Sequence, residues 1–191
     1  IVSAARAKGL ELVKPADFES GSGIGVRGTI EGRRLVLGNT ALMQQEGVAT
    51  DALKADGERL RGDGASVMHL AVDGQLAGIL AVTDPIKSTT PDAIRTLHAS
   101  GLRIVMATGD GLTTAKAVGA RLGIDEVHGE VKPADKLELV DKLQRSGHIV
   151  AMAGDGINDA PALAKADVGV AMGTGTDVAM NSGQITLVKG D

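Results

Sequence analysis

The sequence predicts an α/β fold. A parallel sheet with right-handed crossovers is expected over residues 84–191, joined to a small α+β unit with an antiparallel sheet over residues 1–83. Three observations carry this. Pairs of apolar segments flank Glu31-Gly32 and Asp73-Gly74, which is the turn chemistry of β-hairpins and hence of antiparallel neighbours. Past residue 84, short apolar segments alternate with helical ones, and that alternation needs crossovers between parallel strands. Between the two patterns stands Thr83-Asp84-Pro85, where proline pushes its predecessor out of the helical region and marks a boundary.

Each element follows from its residues. Residues 2–8 read as the tail of a helix stopped by Gly9, and 21–28 as a glycine-rich turn. Segments 26–30 and 34–37 are the strands of the first hairpin; 67–72 and 76–82, around Asp73-Gly74, are those of the second. Between them, 42–46 and 51–60 have helical composition. In the second half, helices are expected at 89–100, 112–122, 134–145 and 157–165. The strands between and after them are 103–107, 126–128, 148–153, 168–171 and 185–187. Ile149, Val150 and Met152 predict that 148–153 is buried.

Composition excludes several function classes. Aromatic residues make up 1% of the 191, a single Phe, so the core must be built from Ala, Val, Leu, Ile and Met, and no stacking platform for single-stranded nucleic acid exists. A net charge of -4 leaves no general basic footprint for nucleic acid. Cysteine is absent, which removes disulfides and thiolate metal sites. The four histidines, His69, His98, His128 and His148, stand singly without metal-ligand spacing. The longest apolar run, 76–82, is far too short to cross a membrane. The chain starts at Ile1 without a leader and reads as a piece of a longer protein.

The chemistry concentrates at the ends of the expected parallel strands. In Ala153-Gly154-Asp155-Gly156-Ile157-Asn158-Asp159, two carboxylates four residues apart follow an apolar strand and open a helix. Glycines there let the backbone approach an oxyanion, and Mg²⁺, a hard cation that keeps its waters, needs only one or two carboxylates. Thr108-Gly109-Asp110 also follows a strand and precedes a helix; a hydroxyl and backbone N–H groups there form a phosphate cradle, although the same residues suit a helix N-cap. Lys136 lies near the start of the helix after Pro133, a poor partner for the helix dipole, and a bound phosphoryl group would compensate it. Gly23-Ile24-Gly25-Val26-Arg27-Gly28 matches G-x-G-x-x-G, but a hairpin follows instead of a helix, so the dinucleotide reading fails on context. No G-x-x-x-x-G-K-[ST] occurs, so an ATP site here is not a P-loop.

Taken as they stand, these strings resemble the motifs of P-type ATPases, the ion pumps of the haloacid-dehalogenase (HAD) superfamily. Ala153 to Leu163 resembles the hinge motif, and Thr108-Gly109-Asp110 the second phosphate-contacting motif. Lys132-Pro133-Ala134-Asp135-Lys136 resembles the segment with the phosphate-neutralising lysine, and Asp84-Pro85-Ile86-Lys87 the hinge between the nucleotide and phosphorylation domains. The resemblance implies a HAD-like doubly wound sheet in a phosphorylation domain at 84–191 and the later part of a nucleotide-binding domain at 1–83. It implies that Asp155 holds Mg²⁺ with Asn158 and Asp159 in support, and that Thr108, Gly109, Asp110 and Lys136 handle the phosphoryl group. ATP would dock at Gly21, Gly23, Ile24 and Gly25, which resemble the glycine pair of heavy-metal pumps, and at Gly38-Asn39.

The small nucleotide half and Met172-Gly173-Thr174-Gly175-Thr176-Asp177 look most like copper(I) pumps, whereas Met180-Asn181-Ser182 departs from their pattern. Absent from the chain are the family's Asp-Lys-Thr-Gly-Thr phospho-acceptor string and its adenine-contacting Ser-Glu-His-Pro segment. The resemblance therefore implies a cytoplasmic part of a membrane ATPase that exports a heavy-metal cation, Cu⁺. Its partners would be the membrane helices, the actuator domain and the upstream phosphorylation strand of the same polypeptide. A free-standing HAD phosphatase with a small cap is the alternative. It needs Asp-x-Asp or Asp-x-Thr after a first strand, and none precedes Thr108.

Overall fold

The computed structural model describes residues 2–21, 23–172 and 177–187. The chain divides into two compact units, Ile1–Pro85 and Ile86–Asp191.

The first unit runs α1 (Val2–Ala7), β1 (Ala16–Gly21), β2 (Gly25–Ile30), β3 (Arg33–Gly38), α2 (Thr40–Gln45), α3 (Lys54–Gly62), β4 (Ser66–Val72) and β5 (Gln75–Val82). Its strands form one antiparallel meander in the order β1-β2-β3-β4-β5. Both hairpins turn through two consecutive left-handed residues, Glu31 (φ 51°) and Gly32 (φ 77°), then Asp73 (φ 51°) and Gly74 (φ 79°), as two-residue hairpin loops require. The turn expected at 21–28 is shorter: Gly21 ends β1, Gly23 and Ile24 turn, and Gly25 opens β2. β1 itself is missing from the expected elements because it buries no face, and a strand exposed on both sides leaves no period-two pattern.

Helix α2 packs on the sheet through Leu42 and Met43, both fully buried against Val36, Val48 and Ala71. Each such side chain contributes about 2 kcal/mol. The Glu46 carboxylate at the end of α2 is 11% exposed and accepts from Arg27 on β2 at 2.5 Å and from Arg34 on β3 at 2.7 Å, which ties the helix to two strands. On β4, alternate residues Val67, His69 and Ala71 face inward.

The second unit runs α4 (Thr90–Ala99), β6 (Val105–Ala107), α5 (Leu112–Leu122), β7 (Glu126–His128), α6 (Pro133–Arg145), β8 (Ala151–Gly154), α7 (Ala160–Lys165), β9 (Val168–Met172), α8 (Asp177–Ser182) and β10 (Ile185–Leu187). All pairings are parallel, but they form two sheets rather than one, β6-β7 and β10-β9-β8. The strand expected at 148–153 begins only at Ala151, and Ile149 is 88% exposed instead of buried. The reason is local. Asp167 Oδ2 takes the Val150 N–H at 2.8 Å, and among the described residues β8 is an edge strand that pairs with β9 only from Ala151 on. The helix expected at 157–165 opens as a 3-10 turn, Ile157–Asp159, before α7. Helix α8 has no counterpart among the expected elements.

Small side chains set the layer spacing. Val140, Ala162 and Ala166 form one buried cluster, Leu163, Ala171 and Ala179 another, and Met152 packs on both. A Cβ on Gly169 of β9 would lie 2.5 Å from the Leu163 carbonyl oxygen, so α7 rests almost directly on the strand backbone. This packing places the start of α7 over the carboxyl end of β8, where Asp155 emerges.

Candidate functional site

In the second unit the site grows from the turn after β8. Gly154 is required there: a Cβ would fall 2.7 Å from Asp159 Cβ. The chain thus folds back tightly enough for Asp159 Oδ2 to accept the N–H groups of Gly156 at 3.1 Å and Asp155 at 3.3 Å. The other oxygen, Oδ1, receives Lys136 Nζ at 2.6 Å. Asp159 is 6% exposed. Burial pushes its carboxyl upward, but the Lys136 hydrogen bond, the Gly156 N–H and the Lys136 charge outweigh that, and the group is held below the ordinary aspartate range. Lys136 sits in the first turn of α6, where the dipole disfavours a cation. The protein itself compensates that misfit through Asp159, a role the sequence reading gave to a bound phosphoryl group.

Asp155 and Asn158 are exposed at the same turn. Both oxygens of Asp159 are engaged, so of the two carboxylates Asp155 is the one open to solvent, and it fits a cation held by one carboxylate and waters. Among the described residues no group of three or more acidic or His side chains converges on one point. A hydrated Mg²⁺ tolerates such a site, whereas Ca²⁺, which wants six to eight oxygens, would not be served.

Thr108-Gly109-Asp110 forms a self-bonded loop after β6. Thr108 Oγ1 donates to Asp110 Oδ2 at 3.0 Å and accepts the Asp110 N–H at 3.1 Å. The N-cap position of α5 is Gly111, the residue after this loop. The loop is fastened to the segment leaving β7: Val131 N–H bonds the Thr108 carbonyl at 3.0 Å and Glu130 N–H the Asp110 carbonyl at 2.7 Å. That segment leads directly into α6, so the Thr108 loop, Lys136, Asp159 and the Asp155 turn form one chain of contacts.

In the first unit, Gly21, Gly23, Ile24, Gly25, Gly38 and Asn39 also come together. Gly25 and Gly38 are register partners on β2 and β3. A Cβ on Gly25 would lie 2.3 Å from the Leu37 carbonyl oxygen, and one on Gly38 2.3 Å from that of Ile24. Asn39 N–H donates to the Ile24 carbonyl at 2.9 Å, and Asn39 Nδ2 to the Gly23 carbonyl at 3.1 Å. Its Oδ1 meanwhile caps α2 by accepting from Leu42 N–H at 3.0 Å. Asn39 therefore pins the glycine loop to the helix start. Ser22 and the Gly173-Thr174-Gly175-Thr176 string lie outside the described residues.

The histidines hold structural posts. His98 meets Asp125 at 2.9 Å and His128 meets Glu126 at 2.7 Å. His69 is 3% exposed and its Nδ1 has no protein partner; burial first, then Arg61, lower its pKa, so it is neutral. Sequence reasoning missed the 129–131 segment. Gly129 could have signalled it, since a Cβ there would lie 2.6 Å from Leu112 Cα, but nothing in the residue type Glu marks Glu130 as left-handed.

Comparison with known proteins follows the same lines. Residues 2–167 match the haloacid dehalogenase-like hydrolase family. The whole chain is 52% identical to part of the silver exporting P-type ATPase of Salmonella typhimurium and 55% identical to part of the copper-transporting P-type ATPase of Rhizobium leguminosarum bv. viciae. It spans 23% of the length of each of those relatives. Among solved structures, the catalytic domain of the CPx-ATPase CopB-B, studied for its conformational changes upon nucleotide binding, superposes with a TM-score of 0.66 at 30% identity over 98% of this chain and 66% of that one. A zinc-transporting PIB-type ATPase in its E2.Pi state gives a TM-score of 0.65 at 30% identity, over 98% of this chain and 30% of that one.

Proposed function

The chain belongs to the haloacid dehalogenase-like hydrolases, and from that premise we propose that it is the nucleotide-binding and phosphoryl-handling part of a P-type ATPase that exports a monovalent heavy-metal cation, Cu⁺ or Ag⁺. The observation that carries the reading is the contact set Lys136–Asp159–Gly156 beside the exposed Asp155 and tied to the Thr108 loop. The identity of the relatives favours export of a soft cation over the free phosphatase, as does the lack of any Asp-x-Asp or Asp-x-Thr before Thr108.

In this mechanism ATP lies against the glycines of β2 and β3, where the missing Cβ atoms leave backbone open to the nucleotide. The γ-phosphoryl passes to an aspartate on another segment of the polypeptide, because no Asp-Lys-Thr-Gly-Thr string occurs in this chain. The divided sheet has room for such a segment: among the described residues β6 and β8 each lack a partner on one edge, and the Thr108 and Asp155 turns follow these two strands. Asp155 would hold Mg²⁺, which when bound shields phosphoryl charge. Lys136 neutralises the transferring oxygens, Thr108 Oγ1 and the N–H groups of its loop hold them, and Asp159 keeps Lys136 in place. Phosphoryl transfer asks the protein mainly for such positioning and charge stabilisation, and a covalent aspartyl-phosphate divides the hydrolysis into two easier steps.

Titrating MgATP into ¹⁵N-labelled chain tests the reading. Amide shifts at Gly21, Gly23, Gly25, Gly38 and Asn39 are expected. Shifts confined to Thr108, Lys136 and Asp155 would favour the phosphatase instead.

A further inference from the structure

Between β7 and α6 the chain covers only residues 129–132, yet these few residues join two parts of the site. Gly129 lets the segment lie directly on the loop after β6, since a Cβ there would meet Leu112 N at 2.9 Å and the Asp110 carbonyl oxygen at 3.1 Å. Glu130 follows with φ 59°, and in the second unit it is the described non-glycine residue with a left-handed backbone. That turn sends two successive N–H groups the same way, Glu130 to the Asp110 carbonyl at 2.7 Å and Val131 to the Thr108 carbonyl at 3.0 Å. The next residue, Lys132, caps α6, with its N–H held by Asp135 Oδ2 at 2.8 Å. One turn further on, Lys136 reaches Asp159. The Glu130 side chain is exposed.

A glutamate in this conformation is uncommon and is kept only where its surroundings over-determine it. Here they do so through backbone bonds. We propose that Gly129-Glu130-Val131 is a positioning segment that sets the Thr108 loop at a fixed offset from Lys136, and that Glu130 acts through its left-handed backbone and not through its carboxylate. This rests on the phosphoryl-handling reading above.

The test uses the 191-residue chain and inorganic phosphate with Mg²⁺ as probe, read by amide shifts at Gly109 and Lys136 and by amide exchange at Val131. Glu130→Gln removes the charge, Glu130→Gly and Glu130→Asn tolerate a positive φ, and Glu130→Val does not. The first three are expected to bind phosphate within about twofold of the parent, and the valine variant about tenfold more weakly, with faster Val131 exchange. Unchanged amide shifts in β9 and β10 certify that the second unit folds, and Glu130→Thr, smaller but still β-branched, replaces valine if that variant does not fold. Loss in Glu130→Gln comparable to that in valine would assign the role to the carboxylate and overturn the proposal; so would a valine variant equal to the parent. If the parent shows no phosphate shift, the phosphoryl reading fails. The positioning role is then decided by exchange alone: acceleration confined to the valine or threonine variant supports it, and equal exchange in all variants defeats it.

Discussion

Asp159 joins the parts of the site through a single side chain. It is buried, it holds Lys136 Nζ, and it accepts two backbone N–H groups of the Asp155 turn. Removing one member of such a buried pair costs more than the pair itself contributes, because the other charge is left uncompensated. Asp159→Ala is therefore expected to lower the unfolding free energy by about 3 kcal/mol, read from urea denaturation. An unchanged midpoint would mean the pair is solvated in solution. Gly38 gives a second prediction. A Cβ there meets backbone at 2.3 Å, which no rotamer change relieves, so Gly38→Ala should cost about 1–3 kcal/mol and abolish the MgATP shifts of the glycine loop. His69 gives a third. Its pKa is depressed, so its contribution to stability is complete above the ordinary value of 6.5 and is lost as pH falls below it towards the folded value. Between pH 7 and pH 5 the first unit should lose stability, and His69→Leu should flatten that slope; a parent with no slope would remove His69 from the account.

At the level of elements, two aspartates do similar work at the amino ends of parallel strands. Asp125, before β7, accepts the Ile104 N–H at 2.7 Å and meets His98 of α4. Asp167, before β9, accepts the Val150 N–H at 2.8 Å and the Gln144 amide of α6 at 3.1 Å. Each thereby ties a helix and the start of one strand to the next. In both the backbone N–H is the main reason the carboxyl is held below the ordinary value of 3.8, followed by the side-chain partner. A depressed aspartate contributes stability that is present above its unfolded pKa and lost as pH falls through the folded one. The second unit should accordingly weaken below about pH 4, and the pair of changes Asp125→Asn and Asp167→Asn should remove part of that acid sensitivity in pH-dependent thermal melts. Helices α5 and α6, and the strands at 126–128 and 185–187, were legible because their patterning and their Gly123 or Pro133 punctuation agree with the packing. β1 was not, because pairing with β2 and not burial defines it.

For the whole molecule, the prediction concerns phosphorylation. Incubated with γ-labelled ATP, this chain alone should acquire no acid-stable, hydroxylamine-sensitive label, since it has no Asp-Lys-Thr-Gly-Thr string and, at the proposed phosphoryl site, Asp110 is bonded to Thr108, Asp159 to Lys136, and Asp155 is the residue proposed to hold the cation. A label of that kind on this chain would overturn the assignment. The fold class and the family could be read from the sequence, because hairpin turns, strand–helix alternation and glycine–aspartate strings are local patterns that act over a few residues. The rest required the tertiary structure. The parallel strands divide into two sheets, Ile149 is exposed, Asp159 rather than a ligand satisfies Lys136, and Glu130 turns left-handed to join two loops. Each of these depends on which distant groups meet, and the meeting of residues 23 positions apart, as in Lys136 and Asp159, is decided by packing and not by local propensity.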